Sequence, residues 1–147
     1  MPRKPCFVGV QEELVDEYWK SRYEMYLPVS GRLVDKQGYA QEFEARTIAI
    51  SRDSVAIELE HIEGVGKLLE SFLSTDQVVE IVIGLPAEEG QVTAQGSVKW
   101  LDTGAIIPTR PYLRAGISLE TMSSADKSRW TTLMRACQLK EESISRQ

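Results

Sequence analysis

The chain has 147 residues, of which 42% are hydrophobic and 27% are charged. This length suffices for one domain that buries roughly two-thirds of its unfolded surface, so no disulfide or metal is needed to stabilise it. Acidic residues outnumber basic ones 22 to 17, giving a net charge of −5. That balance argues against a broad electrostatic grip on DNA or RNA, although a local cluster of cations could hold a small nucleotide.

Membrane and metal sites are also disfavoured. The leader 1–10 has too few apolar residues for a signal-peptide core, and the longest apolar stretches elsewhere are far below the roughly 20 residues of a membrane span. We therefore expect a cytoplasmic protein without a membrane partner. Cys6 and Cys137 lie near opposite ends of the chain, without metal-ligand spacing, and are expected to be two free thiols.

The first predicted element is a helix from Gln11 to about Met25. Its residues recur at helical spacing in two stripes, with Leu14, Tyr18 and Arg22 in one and Val15, Trp19 and Tyr23 in the other. We expect the aromatic side chains to cover the domain that follows. Alternatively, a docking patch could be formed by Trp19, Tyr23, Met25 and Tyr26.

Six strands are predicted after this helix, from period-two alternation and turn residues. Their approximate spans are 29–35, 40–50, 55–60, 78–83, 92–100 and 112–119. The clearest alternation predicts one dry face on the fifth strand, formed by Val92, Ala94, Gly96, Val98 and Trp100. Gly96 and Gly116 lie inside strands and indicate the tight curvature or close backbone approach of a barrel.

Three other segments complete the chain. Residues 61–75 have helical spacing after two glycines, which favours a short helix or turn across a barrel end. A loop is expected at 103–111. Ser123 to Asp126 resembles a helix N-cap, and the amphipathic helix that follows is predicted to pack on the barrel through Trp130, Leu133, Met134 and Cys137.

These elements predict a mainly β protein, a six-stranded antiparallel barrel with an N-terminal helix and a C-terminal amphipathic helix. We expect 1–25 to form the leader and helix, 26–122 the barrel, and 123–147 the closing helix and tail. All three parts are expected to form one domain.

Five short phrases occur in an order and spacing typical of one protein family. They are Leu27–Val29, Thr47–Ser51, Val79–Pro86, Gly96–Trp100 and Arg114–Leu119. With them, the chain resembles the PilZ family of bacterial cyclic-di-GMP signalling over about residues 18–138. The resemblance implies a PilZ-like barrel and cyclic-di-GMP as the ligand to consider, with no other cofactor.

In this family, cyclic-di-GMP is bound by an RxxxR motif before the first strand and a [D/N]xSxxG motif after the second. Guanidinium groups suit the two phosphates. Here Arg22 matches the second arginine, but Tyr18 stands at the position of the first. In the second motif Ser51 matches, whereas Ala49 replaces the acid or amide and Ser54 replaces the glycine.

The resemblance implies Arg22 and Ser51 as ligand-binding residues, and the nearby cations Lys20 and Arg52 complete the candidate set. Lys20 is the other nearby cation, and Arg52 and Asp53 lie in the connection where they could compensate for missing motif residues. Each residue also has a structural interpretation. Arg22 could be a solvated cation at a helix end, Ser51 a turn-capping hydroxyl, and Arg52 and Asp53 ordinary turn residues.

Three function classes follow. The main hypothesis is a PilZ-like regulatory domain with a degenerate nucleotide site that acts through an unidentified protein partner. The alternative is a functional cyclic-di-GMP receptor that uses the remaining motif residues. An enzyme is disfavoured because His61 is the only histidine and no nucleophile motif accompanies it, and because Gly64–Lys67 lacks the spacing of a phosphate loop.

Overall fold

A computed structural model describes residues 22–60, 72, 77–105 and 111–145. Their elements, in chain order, are β1 (Tyr23–Glu24), β2 (Pro28–Val34), β3 (Ala40–Ile50), β4 (Ser54–Glu60), β5 (Val78–Gly84), β6 (Gln91–Ala105), β7 (Pro111–Met122) and the helix α1 (Ser124–Ser145). A 3-10 turn at Pro86–Glu88 lies between β5 and β6. Within these ranges no helix is long and apolar enough to cross a membrane.

Strands β2 to β7 close into an antiparallel barrel. Their neighbour order is β3-β2-β5-β6-β7-β4, and β4 pairs with β3 to complete the circle. The two-residue β1 extends the sheet by pairing Tyr23 with Ile50 and Glu24 with Ala49. The predicted mainly β, six-stranded antiparallel barrel with a C-terminal helix is thus confirmed.

Two predicted elements fall largely outside the described residues. Of the helix predicted from Gln11 to about Met25, only the last four residues are described, and there the prediction was wrong, because Tyr23–Glu24 pair with β3 as strand β1. The segment 61–75 is described only at Phe72, which is helical. The division into 1–25, 26–122 and 123–147 therefore stays a prediction.

The core follows from strand alternation. On β4, Val55, Ile57 and Leu59 are almost completely buried and face the barrel interior. Burial of each such side chain favours folding by about 1.5–3 kcal/mol before the entropy cost is subtracted. Phe72 lies over the interior residue Phe43, with ring centroids 5.4 Å apart. An aromatic pair therefore contributes to the core.

Helix α1 packs on the barrel through the stripe that the sequence predicted. Trp130, Leu133, Met134 and Cys137 are all buried in the main core. The helix begins after Ser123, whose Oγ accepts a hydrogen bond from the Asp126 amide at 3.1 Å. This bond satisfies one of the amides that a helix N-terminus leaves without a partner.

Two of the sequence expectations for β6 were wrong. The strand continues to Ala105, and β7 begins at Pro111, so the expected loop at 103–111 is shorter. A bulge between Val98 and Trp100 also reverses the side-chain alternation. Trp100 therefore leaves the dry interior face and packs in a separate outer cluster with Ala49 and Ala56.

Gly116 makes room for this tryptophan. A methyl group at position 116 would lie within 2.5 Å of three atoms of the Trp100 indole ring. The absence of a side chain at position 116 is therefore what leaves room for the ring beside β7.

We expect Gly116→Ala to destabilise the protein by about 1–3 kcal/mol because the methyl group must displace the indole ring. Urea unfolding measures the loss. In a Trp100→Leu background the same substitution should cost clearly less. An equal cost in both backgrounds would show that Trp100 is not the reason for the glycine.

Candidate functional site

The connection between β3 and β4 is a tight turn made by serines. The Ser51 amide donates to the Ser54 carbonyl oxygen at 2.9 Å, and the Ser51 hydroxyl lies 3.2 Å from the same oxygen. The two hydroxyl oxygens are 2.9 Å apart. Both residues are buried. The structural interpretation of Ser51 as a turn-capping hydroxyl is consistent with these contacts.

Arg22, the residue directly before β1, contacts this turn through its side chain. Its Nη1 donates a hydrogen bond to the Ser51 hydroxyl and lies 4.0 Å from Asp53 Oδ1. Only 9% of the arginine side chain is exposed, whereas 85% of the Asp53 side chain is exposed. The guanidinium is therefore largely withdrawn from solvent and contacts both a hydroxyl and a carboxylate of the turn.

Two further elements fasten the same turn. Trp130 of α1 donates from its indole nitrogen to the Ser51 carbonyl oxygen at 2.9 Å. The Leu119 amide of β7 donates to the Asp53 carbonyl oxygen at 2.8 Å. Residues 51–54, together with Arg22, are named the Ser51 turn site below.

The structure brings together two of the four residues predicted for the ligand site, Arg22 and Ser51. Arg52 is exposed in the same turn. Lys20 lies outside the described residues. The interpretation of Arg22 as a solvated cation is wrong, because its side chain is buried against the turn.

Asp53 and Ser54 were not in the predicted set, although both contact Ser51 through polar atoms. The signal for Ser54 was a serine three residues after another serine, which favours a side-chain-capped turn. For Asp53 the signal was a carboxylate two residues after Ser51. Neither pattern specifies that an arginine 31 positions away in the chain would join them.

The motif position taken by Ala49 is also explained by packing. Ala49 is 3% exposed and packs with Ala56 and Trp100 in the outer cluster. A carboxylate at this position would enter an apolar contact, and burial of an unpaired charge is costly. The alanine therefore fits this structure better than the acid or amide of the motif.

A second polar group lies beside the Ser51 turn site on β6 and β7. Ser118 pairs with Ser54 in the strand register, and its hydroxyl is 3.1 Å from that of Ser97. Both serines donate to Glu120 Oε1, Ser97 at 2.6 Å and Ser118 at 3.0 Å. These hydrogen bonds, the one from Ser97 above all, hold the pKa of Glu120 below its usual value.

A charged row crosses the barrel on the same outer face. Glu58 of β4 is 4% exposed and accepts from Arg46 at 2.9 Å and from Arg114 at 2.5 Å. Arg46 stacks on the Tyr26 ring at 5.4 Å, and Arg114 stacks on the Tyr112 ring at 4.7 Å. The buried Glu58 carboxylate is therefore paired with two guanidiniums, each of which stacks on a tyrosine ring.

Of the described residues, no group of three or more His, Cys, Asp or Glu could hold a metal ion.

We expect Ser51→Ala to destabilise the protein by about 1–3 kcal/mol, because it removes the hydroxyl that Arg22 and Ser54 share in a buried turn. Urea unfolding measures the change. Ser30→Ala is the matched control, since Ser30 is exposed and its hydroxyl donates to the surface carboxylate of Glu44. The control should stay within about 0.5 kcal/mol. Equal effects of the two substitutions would contradict a structural role for Ser51.

The Glu120 carboxylate makes a pH-dependent contribution to the stability of the folded protein. Because its pKa is lowered in the folded protein, that contribution is present above its unfolded pKa and is lost as the pH falls through the folded pKa. Ser97→Ala should raise the pKa of Glu120 toward the ordinary value. Carbon-13 NMR titration of the side chain measures this. Thr132→Ala, an exposed hydroxyl on α1, should leave it unchanged, and an unshifted Glu120 in Ser97→Ala would contradict the assigned cause.

Comparison with known proteins gives structural matches only. No family model matches the chain, and no curated protein matches it by sequence. Apo MrkH of K. pneumonia superposes with a TM-score of 0.60 at 18% identity, over 86% of this chain and 53% of that one. The fold is PilZ-like.

Two other solved structures agree. The Bacillus subtilis inhibitor of motility, MotI/DgrA, gives a TM-score of 0.54 at 15% identity, over 82% of this chain and 50% of that chain. PlzA of Borreliella burgdorferi, in complex with cyclic-di-GMP, gives a TM-score of 0.52 at 8% identity, over 91% of this chain and 55% of that chain. The chain thus spans about half the length of the proteins it matches, and at these identities the likeness concerns the fold.

Proposed function

We propose that this chain is a PilZ-like regulatory domain of bacterial cyclic-di-GMP signalling whose own nucleotide site is degenerate and which acts on a protein partner in the cytoplasm. The structural neighbours support the signalling context. MrkH is a cyclic-di-GMP-dependent transcription regulatory factor, and one of its solved structures is a complex with cyclic-di-GMP. PlzA is likewise described with cyclic-di-GMP.

The proposal of a degenerate site rests on the contacts of Arg22 with the turn. The residue at the surviving arginine position of the motif is bonded to Ser51, at the surviving serine position, and lies 4.0 Å from Asp53. To hold a phosphate, this guanidinium would have to give up the Ser51 hydroxyl and the nearby carboxylate. Asp53 would also repel an incoming phosphate, because like charges at short distance are unfavourable.

The remaining positions offer little replacement. Ala49 is enclosed by Trp100 and supplies no hydrogen-bond partner. Ser54 stands at the position of the motif glycine, and its hydroxyl is hydrogen-bonded to that of Ser51. Arg52 is the exposed cation of the turn and is the residue that the alternative hypothesis, a functional receptor, would need.

A non-enzymatic role fits the same site. Arg22, Ser51, Ser54 and Asp53 provide a cation, two hydroxyls and a carboxylate, and the Ser51 hydroxyl lies 3.3 Å from Asp53 Oδ1. Both serines are buried, however, so neither hydroxyl faces a substrate as an activated nucleophile must. The two serine hydroxyls contact each other and the turn carbonyl instead. We therefore infer regulation through contacts rather than through chemistry.

Isothermal titration with cyclic-di-GMP tests the proposal. We expect the native chain to bind with a dissociation constant on the order of 1 mM or weaker. A Tyr18→Arg/Ser54→Gly variant restores two motif positions without placing a charge beside Trp100. It should bind at least about tenfold more tightly, which corresponds to about 1.4 kcal/mol.

Arg22→Ala and Arg32→Ala complete the set. Arg32 is the matched control because it lies on β2, away from the turn, and is paired with Glu80 of β5. Tight native binding that disappears in Arg22→Ala and persists in Arg32→Ala would overturn the degenerate site and establish the receptor. Failure of the restored variant to bind would show that the missing motif residues are not the reason for weak binding.

A further inference from the structure

The residues between Arg22 and β2 form a short strap along β3. The strap comprises residues 22–27, and its two-residue strand β1 pairs with the end of β3. The last pair of this ladder joins Tyr23 to Ile50. One more step of the same antiparallel register places Arg22 opposite Ser51. Side chains that stand opposite each other in such a ladder are close enough to touch, so the register of the strap decides whether Arg22 contacts the turn.

The pairing of β1 is too short to fix this register by itself. It consists of two residue pairs, and short two-stranded pairings are marginally stable in water. A slip by one residue would turn every side chain of the strap to the opposite face, and the Arg22 side chain would then point away from Ser51. A further contact must therefore hold the strap.

Thr47 of β3 supplies this contact. Its side chain is completely buried. Its hydroxyl oxygen accepts a hydrogen bond from the Leu27 amide at 2.8 Å and donates one to the Met25 carbonyl oxygen at 2.6 Å. The Thr47 amide also donates to the Leu27 carbonyl oxygen at 2.8 Å. One buried residue therefore fastens the backbone of the strap on both sides of position 26.

The hydroxyl group is the part of Thr47 that holds Met25. Valine has nearly the same shape as threonine, but it would leave the Leu27 amide without this acceptor in a buried position. The only bond from Thr47 to the strap that would remain is the one made by its backbone amide. The register of the strap would then depend mainly on the short β1 ladder.

We propose that Thr47 is the positioning residue of the Ser51 turn site. By fastening residues 25–27 it sets the register of the strap, and this register brings Arg22 to Ser51 and keeps the site closed. This role rests on the proposed function, in which the contacts of Arg22 with the turn close the nucleotide site. Thr47 acts through the backbone of the strap.

A double-mutant cycle of Arg22→Ala and Ser51→Ala, measured by urea unfolding in different backgrounds, tests the proposal. With Thr47 in place, the two substitutions should be coupled by about 5–150-fold in the unfolding constant. Thr47→Val should lower the coupling to below about twofold, because the register no longer holds Arg22 against the turn. Thr47→Ser keeps the hydroxyl and should retain the coupling. A coupling that is unchanged in Thr47→Val would overturn the proposal.

Ile81→Val is the matched control background. Ile81 is a buried interior residue of β5, a strand that pairs with neither β1 nor β3. The substitution removes one interior methyl group and lowers stability, so the coupling of Arg22 with Ser51 should stay at its native value. If Thr47 had only a structural role, Thr47→Val would behave like this control.

An inserted glycine keeps the test decisive if Thr47→Val does not fold. Placed directly before Met25, it moves Arg22 by one position relative to the fastened residues, while every barrel side chain is retained. The register then places Tyr23 opposite Ser51, and the coupling should again fall below about twofold. A native coupling in the insertion variant would show that Thr47 does not set the position of Arg22.

Amide hydrogen exchange at Leu27 measures the fastening itself. Exchange should be at least about tenfold faster in Thr47→Val than in Thr47→Ser, because only serine keeps the acceptor. Equal exchange in the two variants would contradict the role of the hydroxyl. No nucleotide is used in these experiments. Tight binding of cyclic-di-GMP by the native chain would therefore overturn the degenerate site alone, and an unchanged coupling in Thr47→Val would overturn the role of Thr47 alone.

Discussion

The turn at residues 51–54 is the point on which the other elements converge. The amide of Ser51 donates to the Ser54 carbonyl oxygen, and its hydroxyl contacts the same oxygen and accepts from Arg22. The carbonyl oxygen of Ser51 accepts from Trp130 of the closing helix. The Asp53 carbonyl oxygen binds β7 through Leu119. The barrel, helix α1 and Arg22 are therefore joined through one turn whose two serines are buried, and such a polar network is stable only when its members are satisfied.

This arrangement gives the incomplete match to the motif a structural explanation. A ligand site needs side chains that face solvent, whereas Ser51 and Ser54 are buried and Arg22 is almost buried. Ala49 packs against an indole that itself depends on Gly116. The same four positions thus serve the barrel, which supports the proposed degenerate site.

Much of the fold could be predicted from the sequence because alternation and helical spacing are local. Val55, Ile57 and Leu59 on β4 and Trp130 and Leu133 on α1 are examples. The exit of Trp100 from the interior could not be predicted, since a bulge is set by the pairing of two strands. The contact of Arg22 with Asp53 was also missed, because it joins residues that only the closed barrel brings together.

The central claim is that Arg22 is held by Ser51, and a double-mutant cycle measures that contact directly. Urea unfolding of the native chain, Arg22→Ala, Ser51→Ala and the double variant gives the coupling energy. The account predicts a coupling of about 1–3 kcal/mol, as for residues in one hydrogen-bond network. A coupling near zero would show that the guanidinium is not held by the turn and would contradict the closed site.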